Sequence, residues 1–317
     1  MTGDSLRGKT AAPPRRLGRV LVTGARGFVG ATLVDTLARA GETVVASDLG
    51  RSGTEPGELR ACDITDPRQV DQLIDSEAFD TIIHCGAVSG PMVMADRPLE
   101  IWRINALGTA HLLEAARRRR VGRFLLCSSS SVYGAMRGAT IDEDTPPAPD
   151  SVYGASKVAA EQALIGYARE HGVDGVALRL AWVYGPGRRT PTTLEQLLRA
   201  ALLGREFKIE EPPSEMTHYV FITDVVDGLV AAARAGRLPR LAYNITAGPG
   251  LAFEQVLSTL RDLMPQARVT FADSSRQGDG PAGFDLANAA QDLGYRPHVP
   301  LAEGLRRYMD ALRDGRS

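Results

Sequence analysis

Tyr153 and Lys157 stand four residues apart in the run SVYGASKVAA, Ser151 to Ala160. Residues at that spacing on a helix are neighbours on one face, and the residues around them are helix-forming and mostly small. A free tyrosine titrates near pH ~10. A lysine held beside a phenol favours the phenolate, because an opposite charge stabilises the ionised form. A partly ionised phenol can accept a proton at neutral pH, which is general-base chemistry. On these ten residues alone, a packed tyrosine and a solvated lysine is the plainer reading. The rest of the chain changes the balance.

A second group of residues is suited to holding phosphate. VLVTGARGFVG places Gly24, Gly27 and Gly30 after an apolar strand and at the opening of a helix. The first glycine permits the turn, the second lets the backbone approach a pyrophosphate, and the third lets helix and strand pack closely. Helix N-terminal amides and the helix dipole then hold the phosphates. The spacing is Gly-x-x-Gly-x-x-Gly, wider than the Gly-x-Gly-x-x-Gly form. Asp48 ends the second predicted strand, where a carboxylate accepts from the adenosine ribose hydroxyls and repels a 2′-phosphate. That favours NAD over NADP, although Arg26 and Arg51 are cations that suit a 2′-phosphate. Asp63, in CDIT, is placed either to reach the adenine or to cap the next helix. Thr65 and Asp66 are equally good caps.

The elements that must position these residues alternate. RVLVTG, TVVASD, DTIIHCGA, RFLLCSS and GVALRLAWVYG read as apolar strands. FVGATLVDTLARAG, PRQVDQLIDSE, PLEIWRINALGTAHLLEAARR and YGASKVAAEQALIGYAREHG read as the helices between them. This order predicts a parallel sheet covered on both faces, a Rossmann-type doubly wound α/β fold. Past residue 181 the pattern loosens into a smaller substrate lobe, partly interleaved with the sheet. Its helices are PTTLEQLLRAALLG, DVVDGLVAAARAG and PLAEGLRRYMDALRDG, and LAYNITAG is strand-like. The expected division is a flexible tail over 1–17, a dinucleotide-binding domain over 18–180 and a substrate lobe over 181–317.

Bulk properties narrow the function. The 317 residues carry a net charge of −1, with 44% apolar and 24% charged residues. That is an ordinary globular mix with no general attraction to nucleic acid or acidic membranes. The local run Arg117–Arg120 closes an apolar helix, where cations suit the helix C-terminus. Cys62, Cys85 and Cys127 lack metal-ligand spacing, so no metal site is expected. They read as buried reduced thiols of a cytoplasmic protein. No apolar run approaches membrane-spanning length, and the N-terminus has no apolar signal core.

Together the motifs resemble the extended short-chain dehydrogenase/reductase family, also called the NAD-dependent epimerase/dehydratase family, from about Arg19 to Gly304. The stretches that carry the resemblance are TGARGFVG, HCGA, NALGT, SSSSVYG, YGASK, VYGPG and LGYRP. HCGA departs from the family, which usually has a more apolar pair between His and Ala. The family places a hydroxyl four residues before the Tyr of VYG, which is Ser129 here. The resemblance implies Tyr153 as the base on a substrate hydroxyl, Ser129 as the group orienting that oxygen, and Lys157 as the holder of the nicotinamide ribose. It implies NAD contacts at Gly24, Arg26, Gly27, Phe28, Val29, Gly30, Asp48, Asp63, Ile64, Cys85, Gly86, Ala87, Asn105, Tyr153 and Lys157. Substrate contacts are implied at Val88, Ser89, Ser130, Trp182, Arg188, His218 and Arg276, and a homodimer through paired helices.

Three departures select among branches of that family. The 4,6-dehydratases carry an Asp-Glu pair after the catalytic hydroxyl, and this chain has Ser130 and Ser131. Nucleotide-sugar members often have Asn where Trp182 stands. They commonly have a diphosphate-clamping Arg where alignment puts Thr217, and threonine does not replace a guanidinium fork. The expectation is an NAD-dependent dehydrogenase acting on a small polyhydroxylated substrate such as a sugar, sugar acid or polyol. The alternatives are a sugar or nucleotide-sugar epimerase that retains NAD and, from another class, a non-catalytic NAD sensor. A serine hydrolase is disfavoured, since no GxSxG occurs.

Overall fold

The computed structural model describes residues 15–50, 59–136, 138–273, 278 and 280–315. Arg51, Arg276 and positions 1–14 of the expected tail lie outside the described residues. The elements run β1 (Arg19–Thr23), α1 (Phe28–Arg39), β2 (Thr43–Asp48), β3 (Leu59–Ala61), α2 (Pro67–Ser76), β4 (Thr81–His84), α3 (Pro98–Trp102), α4 (Gly108–Arg119), β5 (Arg123–Ser129) and β6 (Thr140–Ile141). There follow α5 (Val152–His171), β7 (Gly175–Leu180), β8 (Trp182–Tyr184), α6 (Thr193–Leu202), β9 (Phe207–Ile209), β10 (Met216–Thr217), β11 (Tyr219–Phe221) and α7 (Ile222–Arg234). The chain closes with β12 (Ala242–Ile245), β13 (Leu251–Ala252), α8 (Phe253–Leu263), β14 (Val269–Phe271), β15 (Gly283–Phe284), α9 (Ala287–Leu293) and α10 (Leu301–Arg313).

Seven strands form one parallel sheet in the order β12-β7-β5-β4-β1-β2-β3. Alternation along β1 explains its two covers. Val20 and Val22 face a core shared with Leu33 and Leu37 of α1 and Val225 and Leu229 of α7. Leu21 faces Val70 and Ile74 of α2, Leu112 of α4 and Leu164 of α5. The first of these cores runs on without a break into Leu197, Phe253 and Leu305 of the second half, so sheet and lobe share one interior. Strand order reverses between β1 and β4, and in such sheets ligands bind at the carboxyl ends of the strands beside that reversal.

Four features differ from the sequence expectation. Leu17 is only 1% exposed and Arg15 donates to the Gly122 carbonyl at 2.8 Å, so residues 15–17 are part of the fold, not a tail. GVALRLAWVYG is two strands: β7 stays in the large sheet, while β8 leaves it to pair with β11. The long helix expected from Pro98 is continuous but passes through a π-helical turn, Arg103–Leu107, between α3 and α4. Helix α8 went unread although Phe253, Val256, Leu257 and Leu260 repeat at helical spacing and are all buried. The arginine run behaves as expected, with Arg117, Arg118 and Arg119 in the last turn of α4. They pair with Glu114, Asp71 and Asp75.

Candidate active site

The phosphate-binding turn is built as its spacing requires. Gly24 has φ +68°, a left-handed conformation that favours glycine. A Cβ there would run into the Cys85–Gly86 peptide, and one on Gly30 into the Gly24 carbonyl. Gly27 caps α1, and Phe28 and Val29 form its first turn. The turn thus presents bare backbone at a helix N-terminus, which is the cradle a pyrophosphate needs. Asp48 is fixed by two amides, accepting from Arg26 N and Leu49 N at 2.7 Å each. The Nε of Arg26 is buried without a hydrogen-bond partner, a polar atom left open at the rim of this cradle. These residues fit a dinucleotide with its adenosine ribose at Asp48.

Asp63 turns its Oδ1 to the Thr65 amide and hydroxyl at 2.9 and 2.8 Å, while Asp66 caps α2 through the Arg68 amide. The cap therefore belongs to Asp66, and Oδ2 of Asp63 takes no part in these bonds. The Ile64 carbonyl accepts from His111 Nδ1 at 2.9 Å. Asn105 was expected against the cofactor, but its side chain is committed to the protein. Oδ1 accepts from Val88 N at 2.8 Å, and Nδ2 donates to Val88 O and Ser156 Oγ at 3.3 and 3.0 Å. The π-helical turn carries this buried amide at its centre. From there it anchors the loop after β4 to α5. In that loop Cys85, Gly86 and Ala87 are half-buried and Ser89 is exposed.

Tyr153 lies in the first turn of α5, whose N-cap Ser151 accepts from Gly154 N. Tyr153 and Lys157 are 8% and 4% exposed. Burial raises the phenol pKa, while hydrogen bonding from Ser129 and the charge of Arg188 lower it. The sequence reading assigned that cationic pull to Lys157. In the structure Lys157 Nζ instead donates to the Cys127 carbonyl at 2.9 Å, and Arg188 supplies the pull on the phenol. The lysine is reached by strand-end carbonyls because α5 packs directly over β5. Its own pKa falls to about 8, chiefly by desolvation. Ser129 Oγ caps the short helical turn after β5, accepting from Ser131 N at 3.1 Å.

Beneath Ser129 lies a buried lattice that sequence reasoning missed. Glu161 accepts from Ser128 Oγ and pairs with Arg179, whose Nη2 lies 2.7 Å from Oε2. Arg179 Nη1 donates to the Tyr133 hydroxyl at 2.6 Å, which donates to Asn244 Oδ1 at 2.9 Å. This ties β5, α5, β7 and β12 together under the serine run. Glu161, four residues beyond Lys157, was the available signal. His84 was missed as well. It bridges Thr23 and Thr109 at 2.7 and 3.1 Å, and burial pushes its pKa down to about 3.

On the substrate side, Trp182 is half-exposed at 49% and packs edge-on against Tyr219. Arg188 donates to the Val183 carbonyl at 2.8 Å and lies over the Phe28 ring at 5.9 Å, so the second lobe meets the start of α1. His218 is buried edge-on against Phe284 at 5.0 Å, and burial brings its pKa to about 4. Thr217 is fully buried and donates to the Leu251 carbonyl at 2.8 Å. Ser130 lies half-buried beside Ser129.

A model of the NAD dependent epimerase/dehydratase family matches residues 20–246. A UDP-glucose 4-epimerase of Mycolicibacterium smegmatis is 32% identical over 313 residues, 93% of this chain and 99% of the relative. A dTDP-glucose 4,6-dehydratase of Streptomyces antibioticus is 30% identical over 315 residues, 94% of this chain and 93% of the relative. The solved structure of MoeE5 with UDP-glucose and NAD superposes with a TM-score of 0.82 at 32% identity, covering 95% of this chain and 100% of that one.

Proposed function

Since the chain belongs to the NAD-dependent epimerase/dehydratase family, the extended short-chain dehydrogenases/reductases, and is an NAD-dependent oxidoreductase of that family, we propose that it oxidises a carbinol carbon of a small polyhydroxylated substrate. A free sugar, sugar acid or related polyol is the substrate class. Tyr153 takes the hydroxyl proton, Ser129 hydrogen-bonds and orients the same oxygen, and Lys157 holds the nicotinamide ribose beside them. NAD, when bound, supplies the acceptor for the hydride that leaves the same carbon. Burial of Tyr153 and Ser129 keeps bulk water from the proton transfer, so the phenol exchanges its proton with the substrate oxygen.

The observation that carries the substrate class is Thr217. Its side chain is turned into the protein and spent on the Leu251 carbonyl, so a buried threonine stands at the aligned position where the family's diphosphate-clamping arginine is expected. The Trp182 indole beside Tyr219 further narrows the approach. Ser130 and Ser131 replace the carboxylate pair of the 4,6-dehydratases, so elimination lacks its acid and base. The homodimer and the cytoplasmic setting belong to the same reading, the latter supported by three free thiols. So does the division near residues 180 and 181.

A second reading is a nucleotide-sugar epimerase that oxidises, turns the keto intermediate and reduces it again with NAD retained. It is favoured by relatives such as the M. smegmatis epimerase and MoeE5. One experiment separates the two. The purified protein is given NAD and a panel of sugars, sugar acids, polyols and UDP- and dTDP-sugars, and NADH and C4 epimers are both followed. NADH accumulation with a free polyhydroxylated compound supports the dehydrogenase. Epimerised nucleotide sugar without NADH release overturns it in favour of the second reading.

A further inference from the structure

Two thiols that the proposed chemistry does not use are in contact. Cys85 follows β4, Cys127 lies near the end of β5, and their Sγ atoms are 3.4 Å apart. The two strands are paired from Thr81↔Arg123 to His84↔Leu126, which makes Cys85 and Cys127 the next residues along the same register. Both are free; Cys127 is buried and Cys85 half-buried. A disulfide bond is about 2.05 Å long. Side-chain rotation has only to close the present 3.4 Å by roughly 1.4 Å. Cys62, the third free thiol, is buried as well, and burial pushes its pKa up to about 11.

The pair joins the two halves of the dinucleotide site. The Cys85–Gly86 peptide lies directly against Gly24, at the phosphate-binding turn. The Cys127 carbonyl holds Lys157. A covalent link between these sulfurs therefore pulls on the floor of the turn and on the lysine's anchor together.

We propose that Cys85 and Cys127 form a redox-modification site, a dithiol that peroxides convert to a disulfide and that in this form binds NAD more weakly. The Cys85 thiolate attacks one peroxide oxygen. The O–O bond breaks, the departing oxygen leaves protonated as water or alcohol, and Cys85 becomes a sulfenic acid. The Cys127 sulfur then attacks the Cys85 sulfur; the S–S bond forms, the S–O bond breaks, and hydroxide leaves as water with the Cys127 proton. Two thiols lose two electrons and the peroxide gains two. Lys157 favours the reacting thiolate, and it acts against burial and the neighbouring thiol, which hold Cys85 protonated. The site is therefore a slow one that answers to sustained peroxide.

The test treats the full-length protein with hydrogen peroxide, with and without saturating NAD, and then maps peptides without reductant. The expected result is a Cys85 peptide linked to a Cys127 peptide, formed more slowly under NAD and released by dithiothreitol. Calorimetry on the linked protein should show NAD affinity lowered at least tenfold. Cys127→Ser should give no link and bind NAD equally before and after peroxide, whereas Cys62→Ser should still form it. Absence of the Cys85–Cys127 peptide, or its presence with unchanged NAD affinity, overturns the proposal. Mapping of the unmutated protein decides the matter even if a variant does not fold.

Discussion

Gly154 lies against the Ser131 carbonyl oxygen, so closely that a Cβ on it would collide with that oxygen and with Pro149. The glycine of YGASK thus lets the start of α5 rest on the serine turn, which is what brings Tyr153 to Ser129. Gly154→Ala should lower turnover in the same direction as loss of Ser129, with NAD affinity retained. Steady-state kinetics beside an NAD titration would check this. A variant with normal kcat would show that α5 reaches its place without that contact.

The catalytic set should separate by role. Tyr153→Phe keeps the ring and removes the proton acceptor, so NAD still binds and turnover is abolished. Lys157→Ala should lower turnover and weaken NAD together. Ser129→Ala should cost less, the loss of one orienting hydrogen bond worth roughly 1–3 kcal/mol when buried. Ser128, Ser130 and Ser131 should tolerate alanine better in turnover. Substantial activity in Tyr153→Phe would remove it as the base.

In the proposed mechanism the phenol acts in its deprotonated form, so the rate should rise with pH through its pKa. Burial raises that pKa, and Ser129 and Arg188 lower it. Ser129→Ala and Arg188→Met should each therefore move the rising limb of kcat/KM to higher pH, since that profile reports the free enzyme's groups. Profiles that superpose on the unmutated protein would mean that neither group acts on the phenol.

Asp48 is fixed by the Arg26 and Leu49 amides, and on the proposed reading its carboxylate meets the adenosine ribose and repels a 2′-phosphate. NAD should bind at least tenfold more tightly than NADP, and Asp48→Ala should narrow the gap by removing the carboxylate that repels a 2′-phosphate. Fluorescence titration with both dinucleotides measures this. Equal or tighter NADP binding in the unmutated protein would assign the subsite to Arg26 or Arg51 instead.

Leu99 and Trp102 of α3, Leu107 after it and Val152 at the start of α5 are exposed apolar side chains on helical segments that pack against one another. Such a patch marks an interaction surface, and a homodimer pairing these helices would cover it. Light scattering at micromolar concentration should give a dimer, and Leu107→Asp with Leu99→Asp should give a folded monomer. A monomer in the unmutated protein rejects the assignment.

Local spacing was enough to read the site's ingredients. Tyr153 and Lys157 are bound to share a helix face by the 3.6-residue period, and Gly24, Gly27 and Gly30 by the needs of a single strand–turn–helix. The alternating apolar runs predicted a doubly wound sheet because each strand must be buried on both faces. What only the tertiary structure decided involves residues distant in sequence. Strand order sets Cys85 beside Cys127 and places Arg179 against Glu161. The departure of β8 from the sheet carries Arg188 onto Phe28, where its charge also bears on Tyr153. The π-helical turn buries Asn105 against Val88 and Ser156. None of these follows from periodicity, because contact between separate elements depends on which strands lie adjacent and how helices cross them. The pattern of a single segment carries neither quantity.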